Sequence, residues 1–193
     1  MSSLTSEERL KYEKAWSLPK YRNQSPGERS VEDFLTFYEG GSVVDIGCGT
    51  GRASLKIKEA GVPEVKMFDI AENCLDENVP KDTLVLGCLW EDEIPSAAWG
   101  FCCDVMEHIP EEKVDAALDN IKRNTKNAYI RIHLGHDVFG PTYLKQPLHL
   151  TVQPVSWWMD KITDRWDSVF HIAEGKTLTI VISDGEDNGK SEE

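Results

Sequence analysis

The amino-acid sequence predicts an α/β protein with a single doubly wound, mostly parallel seven-stranded sheet that ends in an antiparallel hairpin. From Val43 onward, short apolar runs alternate with segments of helical periodicity, which is the pattern of a parallel sheet covered on both faces. A glycine-rich turn joins the first apolar run to the helix after it. The last two apolar runs are separated by Glu174-Gly175-Lys176, which favours a hairpin.

Length and composition predict one soluble globular domain. The 193 residues are 40% hydrophobic and 28% charged, and no apolar run approaches the ~18 residues that a membrane span requires. The N-terminus has neither a basic start nor an apolar stretch, and the five cysteines form no CxxC pair, so we expect a reducing, cytoplasmic location and no membrane partner. The net charge of -13 disfavours a long nucleic-acid duplex as a partner.

Two helices are predicted ahead of the first strand. Thr5 and Glu8 form a capping-box pattern that places Thr5 at the N-cap of the first helix, which ends before Pro19. Ser25, followed by proline at the first helical position, caps the second helix. The chain is therefore divided into a helical cap or lid at 1–39, an α/β domain at 40–184 and a disordered acidic tail at 185–193.

The rest of the chain is predicted to alternate between strands and helices. Strands are expected at 43–46, 65–70, 83–89, 100–105 and 128–134, with the hairpin at 166–172 and 178–183. Helices are expected at 52–60, from 111 onward and around 155–162.

The central motif is Val43-Val44-Asp45-Ile46-Gly47-Cys48-Gly49-Thr50-Gly51-Arg52. Its three glycines allow positive φ and let a ligand lie directly against the backbone. A dinucleotide-binding loop, G-x-G-x-x-G, would have its third glycine at the position of Arg52. Asp45 precedes the first glycine by two residues, and an acid there disfavours a ligand held by its phosphates.

Three later segments extend this pattern. Asp69 ends the next strand, about twenty residues beyond the glycines, where such folds place a ribose-binding carboxylate. Leu86-Gly87-Cys88-Leu89-Trp90 and Asp104-Val105-Met106-Glu107-His108-Ile109 follow the third and fourth strands. Taken in this order, the four segments resemble the motifs of class I S-adenosylmethionine (SAM)-dependent methyltransferases, which often carry V-x-E-H-I/V after the fourth strand.

The resemblance implies the class I methyltransferase fold, SAM as the cofactor and transfer of its methyl group to an acceptor. It assigns eight residues to the cofactor. These residues are Asp45, Gly47, Gly49, Gly51, Asp69, Leu89, Trp90 and Asp104.

The acceptor side is predicted from position alone. Ligands of open α/β sheets bind beyond the carboxyl ends of the strands, and His149 lies in the long loop after the fifth strand. We therefore take His149 and His108 as candidate general bases. His133 and His136 have a spacing that straddles a strand end, so no metal is predicted. By analogy with related folds, Tyr21 is a candidate lid residue.

The acceptor itself is left open. A small molecule is favoured, with a protein side chain or a nucleic-acid element as alternatives, and no oligomeric state is predicted. The amino-methylation motif Asp/Asn-Pro-Pro-Tyr/Phe is absent after the fourth strand. Two other functions compete with methyl transfer. One is a non-catalytic SAM-binding regulatory or partner subunit, and the other is a nicotinamide-dependent oxidoreductase, which Arg52 and Asp45 disfavour.

Overall fold

The computed structural model describes residues 2–183, and the predicted acidic tail at 185–193 lies outside the described residues. The strands are β1 (Val43–Ile46), β2 (Val65–Asp69), β3 (Leu84–Leu86), β4 (Ala97–Cys103), β5 (Thr125–His133), β6 (Ser168–Glu174) and β7 (Thr177–Ser183). Within this part of the chain they form one sheet in the order β3-β2-β1-β4-β5-β7-β6. Strands β1 to β5 pair in parallel, and β7 is antiparallel to β5 and β6. The predicted fold class is confirmed.

Helices cover both faces of the sheet. They are α1 (Ser3–Trp16), α2 (Pro19–Arg22), α3 (Pro26–Phe37), α4 (Arg52–Glu59), α5 (Val114–Asn124) and α6 (Val155–Thr163). Side chains of a strand alternate between faces, so Tyr129 of β5 packs with Phe34 of α3 while its neighbour Ile130 packs with Trp158 of α6. None of the helices within residues 2–183 combines the length and apolar character that crossing a membrane demands.

The third strand is shorter than predicted. The Gly87 N–H still donates to the Asp69 carbonyl of β2 (3.0 Å), but the next N–H, that of Cys88, donates to Asp92 Oδ2 (2.8 Å), so the strand ends at Leu86. In contrast, β4 and β5 each begin three residues earlier than predicted, since Ala97 pairs with Thr125. These differences change strand ends and leave the order of elements intact.

The first helix begins differently from the prediction. The Ser2 hydroxyl accepts the Thr5 N–H at 3.2 Å, so Ser2 is the N-cap and the capping role predicted for Thr5 is wrong. Thr5 lies one turn into the helix and is fully buried, with its hydroxyl 3.7 Å from Cys88 Sγ. Serine and threonine both act as N-caps, so the sequence alone does not decide between Ser2 and Thr5.

The N-terminal helices pack against the loop between β5 and α6. Ala15 of α1 is buried with Leu144 and Leu148 of that loop, and the Tyr21 ring centre lies 5.0 Å from that of Phe139. The Arg22 guanidinium anchors α2 by donating to the Leu75 carbonyl at 2.6 Å. Together these contacts hold α1, α2 and the loop between β5 and α6 over the carboxyl ends of the central strands, and we call these three segments the roof.

Candidate functional site

A cleft lies beneath this roof at the carboxyl ends of β1, β2 and β4. One part, the apolar slot, is lined by Trp16, Phe68, Leu89, Trp90 and Ile109 together with Asp69. The other part, the histidine chamber, has a volume of about 570 Å³ and is lined by His108, His133, His136 and His149 together with Asp45, Glu107 and Asp137. Five residues line both parts, which are therefore continuous. These shared residues are Trp16, Tyr21, Gly47, Asp104 and His108.

The glycine loop forms the floor where the two parts join. Gly47 and Gly49 have φ of 69° and 51°, a region that residues with a Cβ rarely adopt. A Cβ at Gly47 would overlap the Val105 side chain, and one at Gly49 would lie 2.8 Å from the Trp16 ring. Gly51 (φ 75°) begins α4 and faces Val79, and it is not among the residues that line the cleft.

Asp69 stands at the end of β2 and is buried in the slot. One of its carboxylate oxygens accepts the Gly49 N–H and the other accepts the Ala71 N–H, both at 2.9 Å. Burial raises the pKa of Asp69 to about 6, although these hydrogen bonds act in the opposite direction. The carboxylate thus fixes the glycine loop and borders the space where a ligand would lie.

Asp45, at the end of β1, is buried on the histidine-chamber side of the glycine loop. The Ser54 hydroxyl donates to its carboxylate at 2.5 Å. Burial raises the pKa of Asp45 to about 7, and the nearby charge of Asp69 acts in the same direction. Asp45 and Asp69 are two buried acids beside the glycine loop, and a single serine hydroxyl donates to Asp45. This part of the cleft can therefore bind a cation.

Leu89 and Trp90, from the segment after the third strand, line the slot. The Trp90 indole N–H has no hydrogen-bond partner among the described residues, and the Leu89 carbonyl accepts from Asn120 at 2.8 Å. Flat apolar walls with few polar groups suit a planar ring.

Asp104 directly follows β4 and has a φ of 53°, an unusual conformation for a residue with a side chain. The Arg131 guanidinium of β5 donates to Asp104 Oδ2 at 2.7 Å. Oδ1 is buried and has no partner within residues 2–183. A strained backbone and an unsatisfied oxygen at the junction of the slot and the chamber indicate a position held for a ligand.

The structure brings His108 and His149 together, although the chain separates them by the whole of α5 and β5. Their ring centres are 4.8 Å apart, and the His133 ring centre lies 5.2 Å from that of His149. His108 Nδ1 lies 2.8 Å from the Tyr12 hydroxyl and 3.1 Å from the Leu148 carbonyl. His149 Nδ1 lies 2.5 Å from the Gly135 carbonyl.

Burial sets the protonation state of this pair. It lowers the pKa of His108 to about 3 and also lowers the pKa of His149, and a charge on His149 would lower the pKa of His108 further. Both rings are therefore neutral at physiological pH, and each keeps a nitrogen lone pair, which in His108 is only weakly basic. His136 lies at the exposed rim of the chamber.

Glu107 is fully buried between β5 and the histidine chamber. Its Oε1 accepts the His133 N–H at 3.1 Å, whereas Oε2 has no hydrogen-bond partner in the described part of the chain. Burial raises the pKa of Glu107 well above its usual range, and the charge of Asp104 adds to this effect. The Glu107 carbonyl accepts the N–H groups of Leu150 and Thr151, which positions the loop that carries His149.

Comparison with known proteins shows that the fold is a common one. No protein-family model and no curated protein sequence matches the chain. Solved structures do match. The N-terminal domain of EvdMO1 with bound S-adenosylhomocysteine (SAH) gives a TM-score of 0.65 at 13% identity, over 83% of this chain and 82% of that one.

Two further structures agree with it. A SAM-dependent methyltransferase from Archaeoglobus fulgidus gives a TM-score of 0.63 at 15% identity, over 81% of this chain and 92% of that one. Magnesium protoporphyrin IX methyltransferase (ChlM) from Synechocystis, solved with bound SAH, gives 0.56 at 18% identity, over 81% and 83%. The chain has the class I methyltransferase fold. Likeness at these identities concerns the fold alone.

Several residues that shape the cleft of this methyltransferase fold were not found from the sequence. Tyr12 and Trp16 lie four residues apart on α1, so both face the slot, and this helical spacing was the signal available. Arg131, the partner of Asp104, carries no motif of its own. Its position beside Asp104 follows from the parallel register of β4 and β5, in which Cys103 pairs with Arg131.

Proposed function

We propose that this chain is a SAM-dependent methyltransferase that binds SAM in the apolar slot and over the glycine loop, and its acceptor in the histidine chamber. The main support for this proposal is that the apolar slot and the histidine chamber meet at Gly47, Asp104 and His108, which line both. A donor in the slot has its reactive end at this junction, where an acceptor in the chamber can meet it. The SAH-bound structures of the same fold support this choice of ligand.

The chemistry of the cleft matches the parts of SAM. The adenine ring suits the slot between Phe68, Leu89 and Trp90. Each Asp69 oxygen accepts one backbone N–H and keeps a second acceptor site for a ribose hydroxyl. Asp45 lies across the glycine loop, where its carboxylate offers a partner for the cationic amino-acid end. Of the residues proposed for the cofactor, Gly51 acts indirectly, by starting α4.

Catalysis of methyl transfer requires mainly alignment, because the sulfonium is already a strong electrophile. Of the two candidate bases, His149 is better suited to accept a proton from an acceptor that carries one, because it faces the chamber and is neutral. Burial lowers the pKa of His108 to about 3, so that ring is a weak base and is better suited to positioning. A chamber of about 570 Å³ under a roof supports a small-molecule acceptor over a large surface.

The N-terminal segment at 1–39 is proposed to act as a cap over the α/β domain at 40–184. Support comes from Trp16 and Tyr21, which line both parts of the cleft and lie 4.5 Å apart, measured between ring centres. We also propose a cytoplasmic location, because all five cysteines are buried free thiols, as expected for a reducing compartment.

Ligand-induced stabilisation tests the cofactor proposal. SAM or SAH at about 100 times its dissociation constant should stabilise the fold by ~2.7 kcal/mol, which raises Tm by roughly 5–10 °C for a domain of this size. NAD at the same concentration should leave Tm unchanged. Incorporation of labelled methyl from SAM into extract components, followed by mass spectrometry, then tests turnover. Binding without incorporation would assign the chain to the non-catalytic SAM-binding class.

The affinity for SAM should increase with pH between about 5 and 7.5. Burial places the pKa of Asp69 at about 6 and that of Asp45 at about 7, so both carboxyls lose their protons across this range and attract the cationic ligand more strongly. We expect roughly tenfold tighter binding over this range, on the scale of 1.36 kcal/mol per unit of pKa shift. Calorimetry in buffers of different ionisation enthalpy should detect proton release on binding.

The stability of the free protein should respond to pH in the opposite direction. A raised carboxyl pKa stabilises the fold below the unfolded value of about 3.9, and this contribution is lost as pH rises through the folded values. Asp45→Asn should therefore flatten both pH profiles. If the wild-type affinity for SAM is constant from pH 5 to 7.5, Asp45 and Asp69 do not contact the ligand.

A further inference from the structure

We propose that Glu107, His108 and His149 form a binding site for a divalent transition-metal ion at the base of the histidine chamber. Each of the three residues offers one potential ligand atom, and these three atoms all lie within 4.8 Å of one another. Bonds of ~2.0–2.2 Å to a shared ion bring ligand atoms to roughly 3–4 Å from one another, so only a small contraction is needed. Glu107 and His108 come from the single turn after β4, and His149 comes from the loop before α6.

The hydrogen bonds of the two imidazoles fix the nitrogen that is free to bind. A carbonyl oxygen can only accept, so Nδ1 of His149 donates to the Gly135 carbonyl. Nδ1 of His108 is engaged by the Tyr12 hydroxyl at 2.8 Å and the Leu148 carbonyl at 3.1 Å. With Nδ1 engaged in both rings, Nε2 is the nitrogen that is left to bind an ion. A metal-binding histidine is usually oriented in this way, with its second nitrogen donating to a backbone carbonyl or a carboxylate.

Glu107 supplies an independent sign of a missing ligand. It is fully buried, and Oε2 has no hydrogen-bond partner among the described residues, whereas the His133 N–H holds Oε1. A buried carboxylate oxygen without a partner is costly and rare in folded proteins. Asp104 adds a second buried oxygen without a partner within residues 2–183, and Arg131 balances only one of the two carboxylates. A bound cation would satisfy Glu107 and balance the remaining charge.

The donor set indicates the class of ion. Two imidazole nitrogens and one carboxylate oxygen suit zinc and divalent iron, cobalt or manganese, and three protein ligands leave coordination positions open. The second cluster of potential ligands, Cys48, Asp69 and Cys74, differs in this respect. Both Asp69 oxygens already accept backbone N–H groups, so neither oxygen lacks a partner there.

An ion with open coordination positions can bind the oxygen atom of an acceptor, which favours an acceptor with a hydroxyl group. This inference rests on the proposed function. The metal-bound hydroxyl would lose its proton to water in the chamber, because a divalent metal lowers the pKa of a bound oxygen. The resulting oxygen would attack the methyl group of SAM and form an O–CH₃ bond. The S–CH₃ bond would break with its electron pair left on sulfur, giving SAH and the methyl ether.

Cobalt titration of the full chain tests the site without an acceptor. After treatment with a chelator, one equivalent of Co²⁺ should produce visible d–d absorption with a dissociation constant in the micromolar range or below. Glu107→Gln and His149→Ala should each weaken Co²⁺ binding by at least about 100-fold. His171→Ala removes an exposed imidazole on β6 and should leave Co²⁺ binding unchanged. A SAM-induced rise in Tm, measured for each variant, shows whether its cleft is intact.

The outcomes separate the metal site from methyl transfer. Absence of a stoichiometric Co²⁺ spectrum in a chain that still binds SAM overturns the metal site and leaves the proposed function standing. Equal Co²⁺ affinity in wild type, Glu107→Gln and His149→Ala also overturns it. Stoichiometric Co²⁺ binding that both variants lose supports it, whether or not labelled methyl is transferred. Full transfer of labelled methyl in excess chelator overturns the role of the metal in activating the acceptor.

Discussion

Gly49→Val is expected to abolish measurable SAM binding, with affinity lowered by at least about 100-fold. The native φ of 51° is unfavourable for a β-branched residue, at a cost of about 1–3 kcal/mol. A Cβ at this position would also lie 2.8 Å from the Trp16 ring, which covers the cleft. Relieving that contact would move either the ring or the loop whose N–H binds Asp69. Isothermal calorimetry with SAM and SAH measures the loss.

Gly61→Val is the matched control for this change. Gly61 follows α4 with φ of 95°, so valine there meets the same kind of backbone strain, but a Cβ at Gly61 would have no neighbouring atom within 4 Å. We expect a lower Tm for the Gly61 variant and a SAM affinity within about threefold of wild type. Equal loss of affinity in both variants would trace the effect to general destabilisation and would contradict a ligand site over Gly49.

Much of the fold was predictable because its signals are local. An apolar run of four residues such as Val43–Ile46, followed by glycines that permit positive φ, specifies a buried strand and a sharp turn with little help from distant residues. The position of Asp69 at the end of a strand beside the glycine turn was predictable for the same reason. Parallel pairing then places the ends of adjacent strands on one edge of the sheet.

The walls of the cleft were harder to predict because they come from long-range packing. The capping of α1 by Ser2 and the inward position of Trp16 depend on how that helix meets the sheet. The path of the loop between β5 and α6, which carries His149 to His108, is set by single contacts such as Asp137 accepting the Leu148 N–H at 2.9 Å. Irregular loops have no periodicity that encodes such a path.

His149→Ala is expected to lower the rate of methyl transfer by about 10²–10⁴-fold while SAM affinity stays within a few-fold of wild type. The imidazole lines the chamber and lies outside the slot proposed for adenine. Its removal therefore affects the acceptor side, whether His149 acts as a base or as a metal ligand. The measurement compares incorporation of labelled methyl with calorimetric SAM affinity in the same preparation, and His171→Ala serves as the control.

Two other results would assign His149 a different role, and each has a structural explanation. Normal turnover in the alanine variant would make His149 a loop residue whose hydrogen bond to the Gly135 carbonyl serves only local order. A joint loss of SAM binding and of Tm would assign it to the fold, because its ring packs between those of His108 and His133. In that case the acceptor site should be sought around Glu107, His108 and the exposed His136, whose alanine variant would then show the fall in transfer rate at unchanged SAM affinity.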